Sequence, residues 1–123
     1  MTGTCLTCML ALGLLSAVSA PAETIRGWLA CDRCTLGRIR EGNFTPNNPE
    51  CARQCIAQGA KTVLIDSDHK RFFYVANPEA AKPNVGDYVE IEGSLDAASN
   101  GLHIDSLKLL EKGVASCGRK RAH

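Results

Sequence analysis

Cysteines are the residues of this sequence whose number and spacing could do chemistry. Seven occur among 123 residues, two of them in an apolar N-terminal stretch. Four of the rest form two local pairs, C-x-x-C and C-x-x-x-C. The five that follow the stretch are Cys31, Cys34, Cys51, Cys55 and Cys117. Cysteines so paired hold zinc as thiolates, exchange electrons as a redox dithiol, or form the disulfides of small exported domains.

Structural disulfides are the interpretation we favour, because a small exported domain has little hydrophobic core to stabilise it. Four cysteines allow three connectivities, and the sequence does not choose among them. A bridge between Cys51 and Cys55 would be strained, since the two lie one helical turn apart. A bridge from Cys34 to Cys51 or Cys55 is more natural, with Cys117 bonded to the other helical cysteine. Cys31 would then be the unpaired thiol.

Two alternatives remain open for the same residues. The first is a tetrahedral zinc site formed by the two pairs, Cys31 with Cys34 and Cys51 with Cys55. The second is a redox dithiol of Cys31 and Cys34. Redox dithiols lie at a helix N-terminus, which lowers the pKa of the first thiol, and the sequence after Cys34 gives no helix signal. Covalent haem is excluded at this pair, because Thr35 stands where the haem motif has histidine.

The N-terminal stretch is typical of an export signal. Residues 5–20 are apolar, carry no charge, and are too few for a comfortable membrane span. Ala20-Pro21-Ala22 fits a signal-peptidase site, although no Lys or Arg precedes the apolar run. We therefore expect a signal peptide over residues 1–22 and a mature chain that begins at Glu23, without a stable membrane span. The predicted location is secreted or periplasmic.

The charge of the chain points to no particular partner. The 14 basic and 13 acidic residues leave a net charge of +1, which gives no broad field for nucleic acid or an anionic membrane. The one biased cluster, Arg119-Lys-Arg121, lies in a basic tail over residues 113–123 that we expect to be solvated. We expect a monomer that binds no nucleic acid and whose partner is an unidentified ligand or protein of the cell envelope.

Hydrophobic patterning predicts one domain, residues 23–112, with five strands and one short helix. The predicted strands are 24–30, 61–66, 71–76, 85–93 and 102–107. Asn48-Pro49-Glu50 is typical of a helix start and Gly59 of a helix end, so a helix from Pro49 to Gln58 follows the first strand. Residues 32–47 are polar and irregular, which predicts a long loop. The expected fold is mainly β: a small five-stranded antiparallel OB-like barrel with one short helix between strands 1 and 2.

Several segments resemble a family of small secreted bacterial proteins of unknown function. In the first half the matching segments are Gly27-Trp28-Leu29, Cys34, Gly37-Arg38, Phe44 to Cys55 and Gly59-Ala60-Lys61. In the second half they are Val75-Ala-Asn77, Val85 to Gly93 and Leu102 to Gly113. The resemblance implies an OB-like fold and cysteines at positions 34, 51, 55 and 117, with no established activity. Cys31 departs from the family pattern, in which a small or acidic residue is more common.

No other residue set makes a convincing catalytic site. His103 and Asp105 share a strand face, but no serine stands in a nucleophile motif. A polar turn explains Asp66, Asp68 and His69. We therefore expect no enzyme activity and no cofactor. The predicted function is a disulfide-stabilised binding or interaction module whose ligand lies at the predicted loop. The alternative is a periplasmic metal-binding or thiol-redox protein that uses the C-x-x-C pair at positions 31 and 34.

Overall fold

The computed structural model of this chain describes Gly3 and residues 22–114. These residues form five strands, two α-helices and two short 3-10 turns. In chain order the elements are β1 (Glu23–Cys31), α1 (Asp32–Arg40), α2 (Pro49–Ala57), β2 (Thr62–Asp66), β3 (Arg71–Val75), the 3-10 turns Pro78–Ala80 and Lys82–Asn84, β4 (Tyr88–Asp96) and β5 (Gly101–Glu111). The prediction of a mainly β fold is confirmed.

The five strands form one mixed sheet with the hydrogen-bonded order β1-β2-β3-β5-β4, and β4 pairs back to β1. All neighbours are antiparallel except β3 and β5, which run parallel over Tyr74↔Gly101 and Val75↔Leu102. The prediction that all strands are antiparallel was wrong at this junction, for a geometrical reason. Antiparallel neighbours must alternate in direction, and an odd number of strands in a closed order cannot alternate throughout.

The predicted loop over residues 32–47 was also partly wrong, because its first nine residues form α1. Asp32 lies in the first turn, and Arg38 and Arg40 lie in the last, so charges of both signs suit the helix dipole. Thr35 and Ile39 are four residues apart and buried on one face. The fold therefore has two helices between β1 and β2 where the sequence predicted one.

The second helix begins at Pro49, as predicted, and ends one residue before the predicted Gln58. The side chain of Asn48 accepts a hydrogen bond of 2.9 Å from the amide of Glu50. At the C-terminal end Gly59 has a φ of +97°, which glycine adopts without strain. The amide of Ala60 donates to the carbonyl of Cys55 and that of Gly59 to the next carbonyl, a Schellman motif. The motif therefore holds the last turn of α2 in place, and this turn carries the Cys55 thiol.

Two buried clusters lie on opposite faces of the sheet. The larger one fills the space that the strands enclose, and includes Ile25, Leu29, Leu64, Val89, Ile91 and Leu102. The smaller one joins Ala30, Val63 and Ile65, on the other face of β1 and β2, to Ile39 of α1, with Leu36 and Phe44 packed against it. Because side chains alternate along a strand, β2 supplies both clusters. The smaller cluster holds α1 against the end of β1.

The described residues cover the predicted domain, and Gly113 is tied to it by an amide hydrogen bond of 2.8 Å to Asp87 Oδ1. Among the described residues, no helix is long and apolar enough to cross a membrane. The predicted signal peptide lies almost entirely outside the described residues, as does the tail from residue 115 with Cys117. The predictions for these segments stay predictions.

Candidate thiol metal site

Three cysteine side chains meet where β1 passes into α1. Cys31 is the last residue of β1 and the N-cap residue of α1, Cys34 lies in the first turn of α1, and Cys55 comes from α2. Their Sγ atoms all lie within 4.8 Å of one another. We call these three residues the thiol cluster. Cys31 is fully buried, whereas Cys34 and Cys55 are half-buried, so the cluster is open to solvent on one side only.

The position of the C-x-x-C pair corrects a premise of the sequence analysis. We expected no helix after Cys34, yet the pair opens α1 directly. A helix N-terminus carries partial positive charge that favours a thiolate over a thiol. The pair thus stands at a helix N-terminus, a position for which the sequence shows no signal, and a third thiol from α2 faces it.

Backbone contacts fix the two helices relative to each other at this point. The amide of Asp32 donates to the carbonyl of Lys61 at 2.9 Å, and the amide of Lys61 donates to Asp32 Oδ1 at 3.0 Å. Lys61 follows the Schellman motif of α2. The hydroxyl of Thr35 donates to the carbonyl of Cys31 at 2.6 Å. The first turn of α1 and the end of α2 are therefore joined beside the thiols.

One buried polar atom near the thiol cluster lacks a partner. Asn47, in the segment before α2, has its Nδ2 4.0 Å from Cys31 Sγ, a long donor contact to sulfur. The Oδ1 atom of the same amide is buried and has no hydrogen-bond partner among the described residues. A buried carbonyl oxygen without a partner is costly, on the order of 1–3 kcal/mol, so a ligand that it could bind would stabilise the fold.

The pKa values of two cluster thiols, Cys34 and Cys55, are raised above their ordinary values. Burial, followed by the hydrogen bond with Cys31, raises the pKa of Cys34. The hydrogen bond with Cys34, followed by burial, raises the pKa of Cys55. Because both pKa values are raised above the ordinary thiol range, Cys34 and Cys55 are thiols at neutral pH. A bound cation would neutralise the charge of the thiolates and so lower the pKa values of the thiols that bind it.

The spacing of the cluster suits a thiolate metal site. Zinc binds cysteine sulfur at about 2.3 Å, so two sulfurs of a tetrahedral site lie roughly 3.8 Å apart. The Sγ atoms of Cys34 and Cys55 are 3.5 Å apart, and Cys31 is within 4.8 Å of both. The largest of these separations exceeds the tetrahedral spacing by at most about 1 Å. Thiolates select zinc, copper(I) and iron–sulfur clusters over magnesium or calcium.

The structure brings together part of each set that the sequence predicted. Cys34 meets Cys55, as the bridge from Cys34 to α2 would require, but none of the four described cysteines lies at bonding distance from another. Cys31, expected as the unpaired thiol, is a full member of the cluster. Cys51 is exposed one turn before Cys55 and is not in it. The predicted four-thiol zinc site is therefore reduced to three thiols.

The other polar residues considered from the sequence make structural contacts. Asp66 is buried and accepts hydrogen bonds from Arg71 Nε at 2.8 Å and from the His69 ring at 2.9 Å. Burial works to raise the pKa of Asp66, but these hydrogen bonds lower it below its ordinary value. His103 and Asp105 form an exposed contact of 3.3 Å. Asp68 lies in the exposed turn after β2.

A groove of about 480 Å³ lies on the opposite side of α2. Ile56, Tyr74 and Val75 form part of its apolar floor, and Arg53, Lys61, Lys82 and Glu79 line its rim. Arg53 is engaged, since its Nε donates to the carbonyl of Val85 at 3.0 Å. Neither lysine makes an ion pair within the described part of the chain. The groove lies outside residues 32–47, where the sequence predicted the ligand.

Comparison of the chain with protein-family models, with curated proteins and with solved structures gives no match.

Proposed function

We propose that this domain is a non-catalytic metal-binding protein that holds a zinc ion at Cys31, Cys34 and Cys55. The observation that carries the proposal is the convergence of three thiols from two helices, with all Sγ atoms within 4.8 Å. The helix N-terminus of α1 adds partial positive charge that favours the thiolate form. Copper(I) is the other ion that such a soft ligand set selects.

In this proposal Asn47 provides the fourth zinc ligand or holds the water that does. A tetrahedral site with three protein sulfurs needs one further ligand. The amide of Asn47 is already beside Cys31, and its buried Oδ1 has no partner among the described residues. An oxygen ligand at this position, from Asn47 itself or from a water that it holds, would complete the zinc coordination and give this atom a partner.

The metal site belongs to an exported, monomeric domain with an OB-like barrel. The closed order of five strands supports the OB-like barrel, since OB-folds are five-stranded Greek-key barrels. The apolar leader and the Ala20-Pro21-Ala22 site support export to the periplasm or the medium. The resemblance to small secreted bacterial proteins agrees with both. In this proposal the cysteines serve metal binding when reduced.

Zinc titration of the reduced mature chain tests this proposal. Affinity is measured by competition with a chromophoric chelator, and zinc content by elemental mass spectrometry. We expect one zinc per chain, and a loss of affinity of at least ~100-fold when Cys31, Cys34 or Cys55 is changed to Ser. Cys51→Ser is the matched control, because Cys51 lies on the same helix outside the cluster. Equal losses in the control, or no zinc bound by the reduced protein, would contradict the proposal.

A second candidate function is binding of a small organic anion in the groove beside α2. Pockets of about 300–1,000 Å³ with apolar walls and few polar groups are typical small-molecule sites. Three cations face one carboxylate at the rim, and Lys61 Nζ lies 5.6 Å from the centre of the Tyr74 ring. We propose a carboxylate with an apolar body, whose charge meets Lys61 and Lys82.

Calorimetric titration with decanoate tests the second candidate. Binding should weaken in Lys61→Glu and Lys82→Glu, and decanol should bind less tightly than decanoate. Lys108→Glu is the control, because Lys108 is an exposed residue of β5 outside the groove. If the control weakens decanoate binding equally, or if decanol binds as well, this candidate is wrong.

A further inference from the structure

Cys34 and Cys55 are the two cysteines of the thiol cluster that lie close enough to form a disulfide after a small movement. Their Sγ atoms are 3.5 Å apart, while 21 residues separate them in the chain. A disulfide bond is about 2.05 Å long. The two sulfurs would have to approach by only about 1.5 Å, between two helices that are joined beside them by the Asp32–Lys61 hydrogen bonds.

We propose that oxidation controls the metal site: a disulfide between Cys34 and Cys55 forms in place of the bound zinc and releases it. The inference rests on the proposed function, since it assigns a regulation to the same site. The cluster then has two states, a reduced one that binds metal and an oxidised one that does not. A Cys34–Cys55 disulfide, one of the two bridges that the sequence left open for Cys34, and the metal site are alternatives at the same residues.

Exposure decides which thiols react. Cys34 and Cys55 are half-buried and reach solvent, whereas Cys31 is fully buried and cannot meet an external oxidant. Cys51 is exposed, but it lies four residues before Cys55 on α2, a spacing that strains a disulfide within a helix. Cys51 can also attack the oxidant, but the pair that closes a bond is Cys34 and Cys55: once one of them has attacked, the other lies 3.5 Å away and resolves the mixed disulfide.

The oxidant is a disulfide, and the step is two successive thiol–disulfide exchanges. The thiolate of one cysteine attacks a sulfur of glutathione disulfide, which breaks the S–S bond and releases one glutathione thiolate. The second cysteine thiolate then attacks the mixed disulfide, forms the Cys34–Cys55 bond and releases the second glutathione thiolate. The two protein sulfurs lose two electrons, glutathione disulfide gains them, and the two cysteine protons pass to the released thiolates.

Loss of metal follows from the ligand count. After the exchange only the Cys31 thiol and the Asn47 amide remain, which is too small a ligand set for a structural zinc site. Linkage requires the reverse effect as well: zinc that binds the reduced state alone must disfavour oxidation. Zinc should therefore protect Cys34 and Cys55 from glutathione disulfide.

The test exposes the reduced mature chain to glutathione disulfide, with and without one equivalent of zinc. Free zinc is followed with a chromophoric chelator, and disulfides are mapped by mass spectrometry of peptides after acid quenching. We expect a Cys34–Cys55 link that forms at least ~10-fold more slowly with zinc present, release of the zinc as the link forms, and recovery of binding after dithiothreitol. Cys51→Ser should behave like the unchanged chain, and Cys55→Ser should stop at a mixed disulfide.

Two outcomes overturn the inference: a first bond that maps to another pair of described cysteines, or an oxidised protein that retains its zinc. If the reduced chain binds no zinc, the proposed function fails, and with it the control of metal. Bond mapping in the zinc-free sample still reports whether Cys34 and Cys55 react with each other, so the two failures are distinguishable.

Discussion

Asp32 and Lys61 form two hydrogen bonds with each other, and each backbone amide donates one of them. Asp32 opens α1, and Lys61 follows the end of α2, so this reciprocal contact joins the elements that carry Cys34 and Cys55. Among the described residues it is the polar contact that ties the first turn of α1 to the chain leaving α2. We therefore expect the geometry of the thiol cluster to depend on Asp32, whose carboxylate accepts from the Lys61 amide.

Replacing Asp32 tests this dependence. Asp32→Ala removes the acceptor of the Lys61 amide and a charge in the first turn of α1, and should lower the free energy of unfolding by about 1–2 kcal/mol. If about 1 kcal/mol of this loss comes from contacts that hold the zinc site in its binding geometry, zinc affinity falls roughly fivefold. Asp32→Asn is the control, because its Oδ1 can still accept the hydrogen bond. Urea unfolding and zinc competition measure the two effects, and equal losses in both variants would show that charge alone matters.

The pH dependence of the reduced, metal-free protein follows from the raised pKa values of Cys34 and Cys55. A thiol whose pKa is raised by folding keeps its proton in the folded state, while the unfolded chain ionises near ~8.5. Stability from these groups is therefore complete below that pH and is lost as the pH rises through the folded-state pKa values. Urea midpoints should therefore fall as the pH rises above about 8.5. The double variant Cys34→Ser, Cys55→Ser should flatten this decline, and an unchanged decline would contradict the assignment.

Zinc binding should show the opposite pH trend. Each thiol that zinc deprotonates on binding releases a proton, so apparent affinity rises with pH by up to about tenfold per unit for each such thiol. The rise should continue beyond the ordinary thiol range, because the pKa values of Cys34 and Cys55 are raised. Competition titrations at several pH values measure the slope. An affinity independent of pH between 6 and 8 would argue against thiolate ligands.

One prediction concerns Ile91 in the larger buried cluster. It is fully buried among the strands and pairs with Ile25 of β1. Ile91→Asp buries a carboxylate without a partner, which should cost more than about 4 kcal/mol and unfold the domain. Leu109→Asp is the control, since Leu109 on β5 is 47% exposed and should change stability by less than about 1 kcal/mol. Circular dichroism of both variants decides, and a folded Ile91→Asp protein would refute the core assignment.

Export is tested at the N-terminus. The apolar run and the Ala20-Pro21-Ala22 site predict that the exported protein begins at Glu23. N-terminal sequencing of protein from the periplasm or medium gives the result directly. Recovery of the full-length chain from the cytosol alone would show that the leader is no cleaved signal.

Local signals predicted α2 well and α1 not at all. The cap at Asn48, the proline at position 49 and Gly59 all act within a few residues, so the sequence shows them. The start of α1 is Cys31, whose side chain makes no capping hydrogen bond, and the helix is held instead by packing of Ile39 on the sheet. That packing depends on tertiary structure, which periodicity over nine residues did not reveal.

The thiol cluster was predictable only in part for the same reason. The spacing of Cys31 and Cys34 placed two thiols together, whatever the secondary structure. Cys51 and Cys55 lie one turn apart on the same face of α2, so the choice of Cys55 depends on which turn of α2 lies beside α1, and tertiary structure sets that. The existence of a parallel pair, in contrast, follows from the closed order of five strands alone, although parity does not say that the pair is β3 and β5.

X-ray absorption spectroscopy at the zinc edge of the reduced, zinc-loaded protein tests the proposed site most directly. The account predicts three sulfur ligands at about 2.3 Å and one oxygen or nitrogen ligand at about 2.0 Å. In Cys51→Ser the sulfur count should stay at three, and in Cys55→Ser it should fall. Two or fewer sulfurs in the unchanged protein, or a fourth sulfur that disappears in Cys51→Ser, would contradict a site built from Cys31, Cys34 and Cys55.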